Sequence, residues 1–366
     1  MYKSELKVIK FINDNSNWRE LLESAPYFLK IQDKDNYTLL MYNQDSSDFS
    51  NEIVQECRGL IIKNENGVYK PVCVPFYKFF NYGESEAVSI DWSSAKVLEK
   101  IDGSLIKLWY DDAEWHISSN GTIDASEVTF AIPNDKFKNY KELVEFLLKK
   151  DYSDFNFDIN KIYLFELCSL YNKVVISYPE PTLYWLGTRD KITLKEELFD
   201  SNWKFVPKTY ELKSLEDCIS AAKELPDDEE GYVVVDKDFN RVKVKSPLYV
   251  ASAHQKRTFT ISNCIDLAAK GEISEFLSYF PEFSEIIDIV DQKYKSFMNY
   301  LKHDMEIVDS IKDLDNAKEI ALIIKDKCYA QGFAFGYLKG KYNSAEEYFS
   351  KLTDNQKKIY LELNLH

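Results

Sequence analysis

The sequence predicts an α+β fold: a domain of mainly antiparallel sheets with helices, followed by an all-helical domain. From about Tyr37 to Tyr249, short runs of β-branched and aromatic residues alternate with turn signals. After about Ala253 these runs stop, and apolar residues recur at helical spacing instead. We therefore expect one domain over residues 1–253 and a second over residues 254–366.

The strand-type runs of the first domain follow one another at hairpin-like spacing, which favours antiparallel pairing. They are GLIIK, VYKPVCV, SLIKLWY, EWHISS, KIYLFEL, KVVISY, TLYWLG, GYVVV and VKVKS. The segment from Asn139 to Lys149 has a helical pattern, and so does the charged amino terminus. We expect helices such as these to pack against the sheets.

The second domain is predicted to be helical from both periodicity and start signals. One long apolar stripe recurs every three or four residues, at Ile286, Val290, Tyr294, Phe297, Leu301, Met305 and Val308. Three segments have the pattern of a helix cap with a reciprocal partner three residues on. They begin at Asn316, Ser344 and Thr353, with Glu319, Glu347 and Gln356 as the partners.

Composition limits the class of protein. A chain of 366 residues with 45% hydrophobic residues can form two packed cores, and it has neither a membrane-span-length apolar run nor a signal-peptide pattern. We expect a cytoplasmic protein without membrane association. The six cysteines form no CxxC pair, which predicts reduced, mostly buried thiols. A formal net charge of -15 argues against a generic nucleic-acid binder, so any such site must be local.

The most informative motif is Lys100-Ile-Asp-Gly-Ser104, directly before a strand-type run. A lysine acts as a nucleophile only where its surroundings favour the free amine and hold it against an electrophile. Asp102 can orient the amine or a metal-bound water, and Gly103 lets the backbone approach a bulky ligand. The alternative is a hairpin turn with a solvated lysine, because Asp-Gly is a common turn pair.

Two further patterns indicate buried or focused charge. Glu166 interrupts the apolar run Leu164-Phe-Glu-Leu167, where a charge is costly unless it is paired or linked to a metal. Lys243 and Lys245 lie on one face of a predicted strand and would repel each other without an anion between them. A structural ion pair at Glu166 and a solvated edge strand at the lysines remain open alternatives.

In these motifs the sequence resembles the nucleotidyltransferase superfamily of ATP-dependent ligases and mRNA capping enzymes, and within it the bacteriophage T4 RNA ligase 1 family. The resemblance covers about Tyr37 to His254 well and the helical tail loosely. It implies a nucleotidyltransferase (ATP-grasp-like ligase) domain. It also implies that Lys100 attacks the α-phosphorus of ATP and carries AMP.

The resemblance implies roles for further residues, matched by their motifs. Arg58 of Glu56-Cys-Arg-Gly59 and Lys78 of Lys78-Phe-Phe-Asn81 would hold the β and γ phosphates, with Tyr42 near the triphosphate. Lys243 and Lys245 would contact the α-phosphate, and Tyr249 would serve later steps. Taken alone, Arg58 and Lys78 are more typical of surface cations.

The implied metal is Mg²⁺, with Mn²⁺ as a substitute, and its water-mediated partners would be Asp102, Glu166 and Glu230. Glu166 is also a candidate ligand for the ATP ribose. The sequence departs from the family at Asn120, within Ser118-Ser-Asn-Gly-Thr122, where the family often has a basic residue. An amide can bond a hydroxyl or phosphate oxygen but brings no charge.

These inferences predict an ATP-dependent RNA ligase that joins 5′-phosphate and 3′-hydroxyl ends through a lysyl-AMP enzyme and an RNA-adenylate. We expect a monomer acting on broken RNA, with nicked tRNA as the substrate that the family implies. DNA ligases and capping enzymes generally append a barrel of short strands, whereas helices are predicted here. The alternatives are a DNA ligase, a GTP-using capping enzyme, a noncatalytic RNA-binding protein on a ligase fold, or an interaction protein with accidental matches.

The helical tail carries a local excess of positive charge. Between Ala321 and Tyr360 there are seven lysines against four acidic residues. This excess is consistent with a phosphate-contacting face in an otherwise acidic protein. Ordinary solvated helix faces account for it equally well, because lysine is a good exposed helix former.

Overall fold

The computed structural model describes residues 6–130, 135–253, 261–314 and 316–363. The chain forms two compact units, Met1–Ala253 and His254–His366. Among the described residues, no helix combines the length and the apolar character needed to cross a membrane.

The strands all lie in the first unit, as far as the chain is described. In chain order they are β1 (Lys30–Lys34), β2 (Tyr37–Met41), β3 (Arg58–Glu65), β4 (Val68–Cys73), β5 (Phe80–Asn81), β6 (Lys96–Glu99), β7 (Ser104–Asp111), β8 (Glu114–Ser119), β9 (Lys161–Cys168), β10 (Thr182–Asp190), β11 (Glu196–Glu197), β12 (Thr209–Tyr210), β13 (Gly231–Val235) and β14 (Arg241–Lys245). The α-helices of the first unit are α1 (Lys7–Asp14), α2 (Trp18–Glu23), α3 (Glu52–Glu56), α4 (Tyr140–Asp151), α5 (Leu215–Lys223) and α6 (Pro247–Ala253).

The strands form three sheets, with orders β1-β2-β3-β4, β11-β10-β9-β7-β8 and β12-β6-β13-β14-β5. Every pairing is antiparallel except that of β14 with β5. The predicted class, a mainly antiparallel α+β domain, is therefore confirmed. Strand β14 lies between two other strands, so the alternative of a solvated edge strand for Lys243 and Lys245 is wrong.

One core lies between the first and second sheets, where Leu60 and Ile61 of β3 pack in the same cluster as Trp109 of β7 and Leu164 of β9. A second core forms on the other face of the second sheet, where Phe165 and its neighbours pack against α4. Because side chains alternate along a strand, Lys107 and Glu166 point toward the first sheet, like Trp109 and Leu164. Two charged residues of the second sheet are thus directed inward.

Helix α4 begins where predicted, because the Asn139 side chain accepts a hydrogen bond from the Glu142 backbone N–H. The predicted strand KVVISY is wrong: residues 173–178 form a loop between β9 and β10. The reason is a competing tertiary contact. The backbone N–H groups of Val175 and Ile176 donate to the carboxylate of Asp102 instead of joining a ladder.

In its described part, the second unit consists of helices. They are α7 (Ile261–Lys270), α8 (Ile273–Tyr279), α9 (Ser284–Ile311), α10 (Ala317–Lys327), α11 (Gln331–Leu338), α12 (Ala345–Ser350) and α13 (Asp354–Tyr360). The apolar face of α9 forms the centre of the unit, and the predicted stripe is buried at Val290, Tyr294, Phe297, Leu301 and Val308. At its two other positions the buried residues are the neighbours, Ile287 and Asp304.

All three predicted cap residues, Asn316, Ser344 and Thr353, accept backbone hydrogen bonds at helix starts. Thr353 also has its reciprocal partner, since the Gln356 side chain accepts from the Thr353 backbone. The six cysteines are free and buried, which confirms that prediction.

Candidate active site

The first unit contains a cavity of about 530 Å³. Its polar lining comes from all three sheets and their loops: Arg58, Glu99, Lys100, Ser104, Ser119, Asn120, Glu166 and Arg241. Apolar side chains, among them Leu98, Leu186 and Val233, form the remaining wall. The cavity therefore combines charged groups with an apolar wall, the combination that binds small organic ligands.

Lys100 follows the last residue of β6, and its backbone N–H donates to the Gly231 carbonyl at the start of β13. Its Nζ atom lies 2.7 Å from Oε1 of Glu230, and Nζ of Lys245 lies 3.4 Å from the same oxygen. The Glu230 side chain is 3% exposed and that of Lys100 is 19% exposed. Lys100 is thus held at the cavity by a buried carboxylate, and the alternative of a solvated turn lysine is wrong.

The structure explains why position 103 is a glycine, and the explanation is one that the sequence did not indicate. A Cβ atom at this position would lie 2.5 Å from the carbonyl oxygen of Leu167 on β9. The glycine therefore allows the loop to approach the neighbouring strand, because any side chain would collide with that backbone. This contact fixes the distance between the loop of Lys100 and the strand of Glu166.

Asp102 is buried, and both of its carboxylate oxygens have protein partners. Oδ2 accepts hydrogen bonds from the backbone N–H groups of Val175 and Ile176, at 3.0 and 2.7 Å. Oδ1 accepts from the hydroxyl of Tyr249, at 3.0 Å. These three donors hold the carboxylate of Asp102 in a fixed orientation. Asp102 thereby connects the loop of Lys100 to α6 and to the segment after β9.

Glu166 differs from Asp102, because its carboxylate has no hydrogen bond or ion pair with any described residue. It is partly exposed to the cavity. Burial raises the pKa of Glu166 to about 8, although Lys100 and Arg58 act in the opposite direction; Glu230 and Asp102 raise it further. The structural ion pair considered from the sequence is therefore wrong. An unpaired carboxyl at a cavity is available to a ligand.

Arg58, the first residue of β3, has its Nη1 atom buried without a hydrogen-bond partner among the described residues. Its guanidinium lies 5.3 Å from the centre of the Phe79 ring, and Nζ of Lys243 lies at the same distance from that ring. Phe79 thus brings two cations of different sheets together at the cavity. A buried guanidinium with an unused donor is suited to an anionic ligand.

Lys78 and Tyr42 form a separate cluster. Nζ of Lys78 lies 5.1 Å from the centre of the Tyr42 ring and 4.6 Å from that of Phe49. Its hydrogen bond to Oε1 of Gln44 is long, at 3.4 Å. The structure therefore places these two residues together, outside the lining of the cavity.

Asn120 lines the cavity, and its Oδ1 atom is buried without a hydrogen-bond partner in the described chain. A buried polar atom without a partner is rare in proteins and indicates a ligand or a water. This cavity therefore contains an unused hydrogen-bond donor, Nη1 of Arg58, and an unused acceptor, Oδ1 of Asn120.

Sequence reasoning missed three features of this region. Phe79 packs against the first core, and the guanidinium of Arg58 and Nζ of Lys243 each lie 5.3 Å from the centre of its ring. Lys107 is 0% exposed, and its signal was a lysine inside the apolar run SLIKLWY. Glu196 pairs with Arg189, its partner in the β10–β11 ladder, and with Arg241, at 2.6 Å from the latter. Arg241 lies far from the other two in sequence, so no local pattern reveals this network.

The carboxylates fit a metal that takes most of its ligands from phosphates and water. Within the described residues, no three carboxylate, histidine or cysteine side chains converge to hold an ion by themselves. Glu166 is free of protein partners, whereas Glu230 is bonded to lysines and Asp102 to three donors. Mg²⁺ is commonly held by one or two carboxylates together with substrate phosphates. Glu166 is the best placed of the three for this role.

The α+β domain thus places a lysine–glutamate ion pair and an arginine with an unsatisfied donor at one cavity. Residues 56–249, more than half of the chain, match the family model described as RNA ligase, of the T4 RNA ligase 1 type. The chain therefore belongs to the T4 RNA ligase 1 family.

The curated proteins similar to this chain include two viral ones. A putative bifunctional polynucleotide kinase/RNA ligase of Autographa californica nuclear polyhedrosis virus is 30% identical over 359 residues, covering 90% of this chain. The chain spans only 49% of that relative's length. An RNA ligase of Rhodothermus phage RM378 is 24% identical over 316 residues, covering 69% of this chain and 72% of the relative. A solved archaeal ATP-dependent RNA ligase matches at 14% identity with a TM-score of 0.47, covering 91% of this chain and 80% of its own.

Proposed function

We propose that this protein is an ATP-dependent RNA ligase that carries AMP on Lys100. The observation that carries the proposal is the position of Lys100: its Nζ atom lies 2.7 Å from the buried Glu230 at a cavity that also contains the unpaired Nη1 of Arg58. A nucleophile, a proton acceptor and an anion-binding group are therefore adjacent. The family assignment favours RNA over the DNA ligase and capping alternatives.

In the first step, the Lys100 amine attacks the α-phosphorus of ATP. A phosphorus–nitrogen bond forms, the bond from the α-phosphorus to the bridging oxygen breaks, and pyrophosphate leaves with the negative charge. Glu230 is within hydrogen-bond distance of Nζ and accepts the lysine proton. Lys245, beside the same carboxylate, stabilises the negative charge at the α-phosphate.

The remaining contacts follow from the cavity. Arg58 and Lys243, both beside the ring of Phe79, bind phosphate oxygens, and the apolar wall formed by Leu98 and Val233 packs against the base. Lys78 and Tyr42 act at the γ-phosphate end, which agrees with their position outside the cavity lining. Glu166 holds Mg²⁺ or the ribose; the metal, when bound, neutralises phosphate charge, and Mn²⁺ serves as a substitute.

Asp102 and Tyr249 act through position. Because both oxygens of Asp102 are engaged, we assign it to fixing the Lys100 loop, with water-mediated contact to the metal as its lesser role. The Tyr249 hydroxyl, on α6, donates to Asp102 and thereby connects α6 to the loop that carries Lys100. Its hydroxyl serves the steps after adenylylation.

In the second step, AMP passes from Lys100 to the 5′-phosphate of an RNA strand; a 3′-hydroxyl then attacks that phosphate and expels AMP. We propose broken RNA, including nicked tRNA, as the substrate, and a monomer acting in the cytoplasm.

The helical tail, from Ala321 to Tyr360, has fewer lysines free to contact phosphates than its lysine count indicates. Lys351 is paired with Glu347, and Lys357 lies 3.8 Å from Asp266.

The test is incubation with radiolabelled ATP and Mg²⁺, followed by detection of label on the protein. We expect Lys100→Ala to abolish labelling and Lys96→Ala, an exposed lysine on β6, to retain it. Labelling of the Lys100→Ala protein would disprove the assignment of the nucleophile. GTP in place of ATP tests the capping alternative. Joining of 5′-phosphate, 3′-hydroxyl RNA against nicked DNA then separates the two kinds of ligase, and RNA binding without labelling would indicate a noncatalytic protein.

A further inference from the structure

Lys107 is a lysine with no exposed surface in the middle of β7. Its Nζ atom donates a hydrogen bond of 2.6 Å to the carbonyl oxygen of Gly59. Within the described residues, no carboxylate lies at ion-pair distance from it. A buried ammonium without a counter-ion is costly, so its presence requires a compensating role.

The chemistry around Lys107 leaves it positively charged at neutral pH. Burial lowers the pKa of Lys107 to about 8, and Arg58 lowers it further. Burial also raises the pKa of Cys73 to about 12, so that thiol is neutral and supplies no counter-charge. The charge of Lys107 is therefore uncompensated within the described protein.

The partner of Lys107 is a special position in β3. Leu40 pairs with Leu60 and Met41 with Arg58, so Gly59 lies between them as a bulge. Its φ is +82°, and a Cβ atom there would lie 2.4 Å from the carbonyl oxygen of Asn120. Only glycine fits, and its carbonyl is held by Lys107. Because Arg58 is the preceding residue, this bond also fixes the backbone from which the guanidinium extends.

Lys107 and Asn120 meet at this bulge from two strands. Lys107 lies opposite Ser118 in the β7–β8 ladder, and Asn120 follows two residues later, on the same face. Nζ of Lys107 is 3.2 Å, and Oδ1 of Asn120 is 3.1 Å, from the point where a Gly59 Cβ atom would stand. The lysine thus lies immediately behind the uncharged amide that lines the cavity.

We propose that Lys107 is a positioning residue for ATP, which holds Gly59 and Arg58 from behind the cavity wall and supplies the positive charge that Asn120 lacks. The counter-charge of the buried ammonium is then the triphosphate itself. This inference rests on the proposed function, and it adds a residue that lies outside the motifs considered in the sequence. Binding of ATP, rather than the chemical step, is what Lys107 controls.

The test uses Lys107→Met in the full chain, with Lys191→Met as the matched control. Lys191 also donates to a backbone carbonyl of β7, that of Tyr110, but lies outside the cavity lining. We expect Lys107→Met to raise the KM for ATP roughly tenfold, measured as the ATP concentration that gives half the maximal labelling rate. The maximal rate, which stands for kcat in this single-turnover reaction, should change less, because what is lost is a cation near the ATP. Lys191→Met should leave both constants unchanged.

A second variant separates charge from the hydrogen bond to Gly59. Adding Asn120→Lys to the Lys107→Met protein returns a cation to the same place and should restore most of the ATP affinity. Equal KM values in wild type and Lys107→Met would overturn the proposal. So would the same loss in the single and double variants, because it would leave only a structural role for the lysine.

Binding is also measured apart from labelling, as the rise in melting temperature caused by ATP. We expect this rise to be smaller in Lys107→Met than in the wild type, while the melting temperatures without ATP stay close. If the wild type binds ATP but takes no label, the proposed ligase function fails and the role of Lys107 in binding still stands. An unchanged rise in Lys107→Met would contradict the role of Lys107.

Discussion

The two units bury charge in contrasting ways. In the helical unit, Asp304 is 1% exposed, and its two oxygens accept hydrogen bonds of 2.8 and 2.7 Å from the backbone N–H groups of Tyr329 and Ala330. At the cavity of the first unit, Glu166 has no partner among the described residues and Nη1 of Arg58 is unsatisfied, while the nearby Lys107 has a hydrogen bond to Gly59 but no counter-ion.

The contrast separates charge that serves the fold from charge that serves a ligand. Asp304 needs no ligand, because both of its oxygens accept hydrogen bonds from backbone N–H groups at the start of α11. Groups without partners cost stability in the empty protein and are retained where a ligand completes them. The following substitutions test this distinction.

The largest expected effect is on activity, at Glu230. In Glu230→Gln, Lys100 and Lys245 lose their shared anion and repel each other, so the nucleophile leaves its position. We expect labelling to fall on the order of 100-fold, the cost of misplacing a reacting group. The measurement is the rate of label transfer from ATP. Glu229→Gln, the same change one residue earlier, should keep the wild-type rate, and a similar loss there would argue against a specific role for Glu230.

The second prediction concerns stability in the helical unit. Asp304→Ala leaves one buried and one partly buried N–H group without an acceptor, which should lower the free energy of unfolding by about 2–3 kcal/mol. Urea denaturation measures this change. Glu306→Ala, on the exposed side of the same helix, should have little effect. Below the unfolding transition, labelling of Lys100 should remain; its loss in Asp304→Ala would mean that this charge also serves the site.

The smallest effect is a pH dependence at Glu166. Because the pKa of Glu166 is raised to about 8 in the folded protein, the folded state binds its proton more tightly than the unfolded state. This proton stabilises the fold at low pH, and the contribution is lost as the pH rises from about 4.5 to 8. Glu166→Gln should lack this decline.

The measurement is the difference in unfolding free energy between wild type and Glu166→Gln at several pH values. Curves that stay parallel through this range would show that Glu166 keeps an ordinary pKa and has a partner. Repeating the series with ATP and Mg²⁺ sharpens the comparison, because a bound cation favours the ionised carboxylate and should shift the wild-type decline to lower pH.

The sequence by itself determined the elements whose signals are local. Strand runs such as SLIKLWY and GYVVV, the cap residues from Asn139 to Thr353, and the change to helices after Ala253 follow from propensity, alternation and capping. The sequence also identified the motif around Lys100 and the charged residues Arg58, Glu166 and Glu230 as candidate site residues, because their signals are local too. Each is an unusual residue in a recognisable short segment.

Only the tertiary structure decided which of these residues meet. The segment KVVISY has a strand pattern, yet its N–H groups bind Asp102, which lies more than 70 residues earlier in the chain. Lys78 and Lys107 are both lysines beside apolar residues, but one packs among aromatic rings and the other lies behind Gly59. The physical reason is that burial and pairing depend on contacts between distant strands, and the register of those strands is set by the whole core.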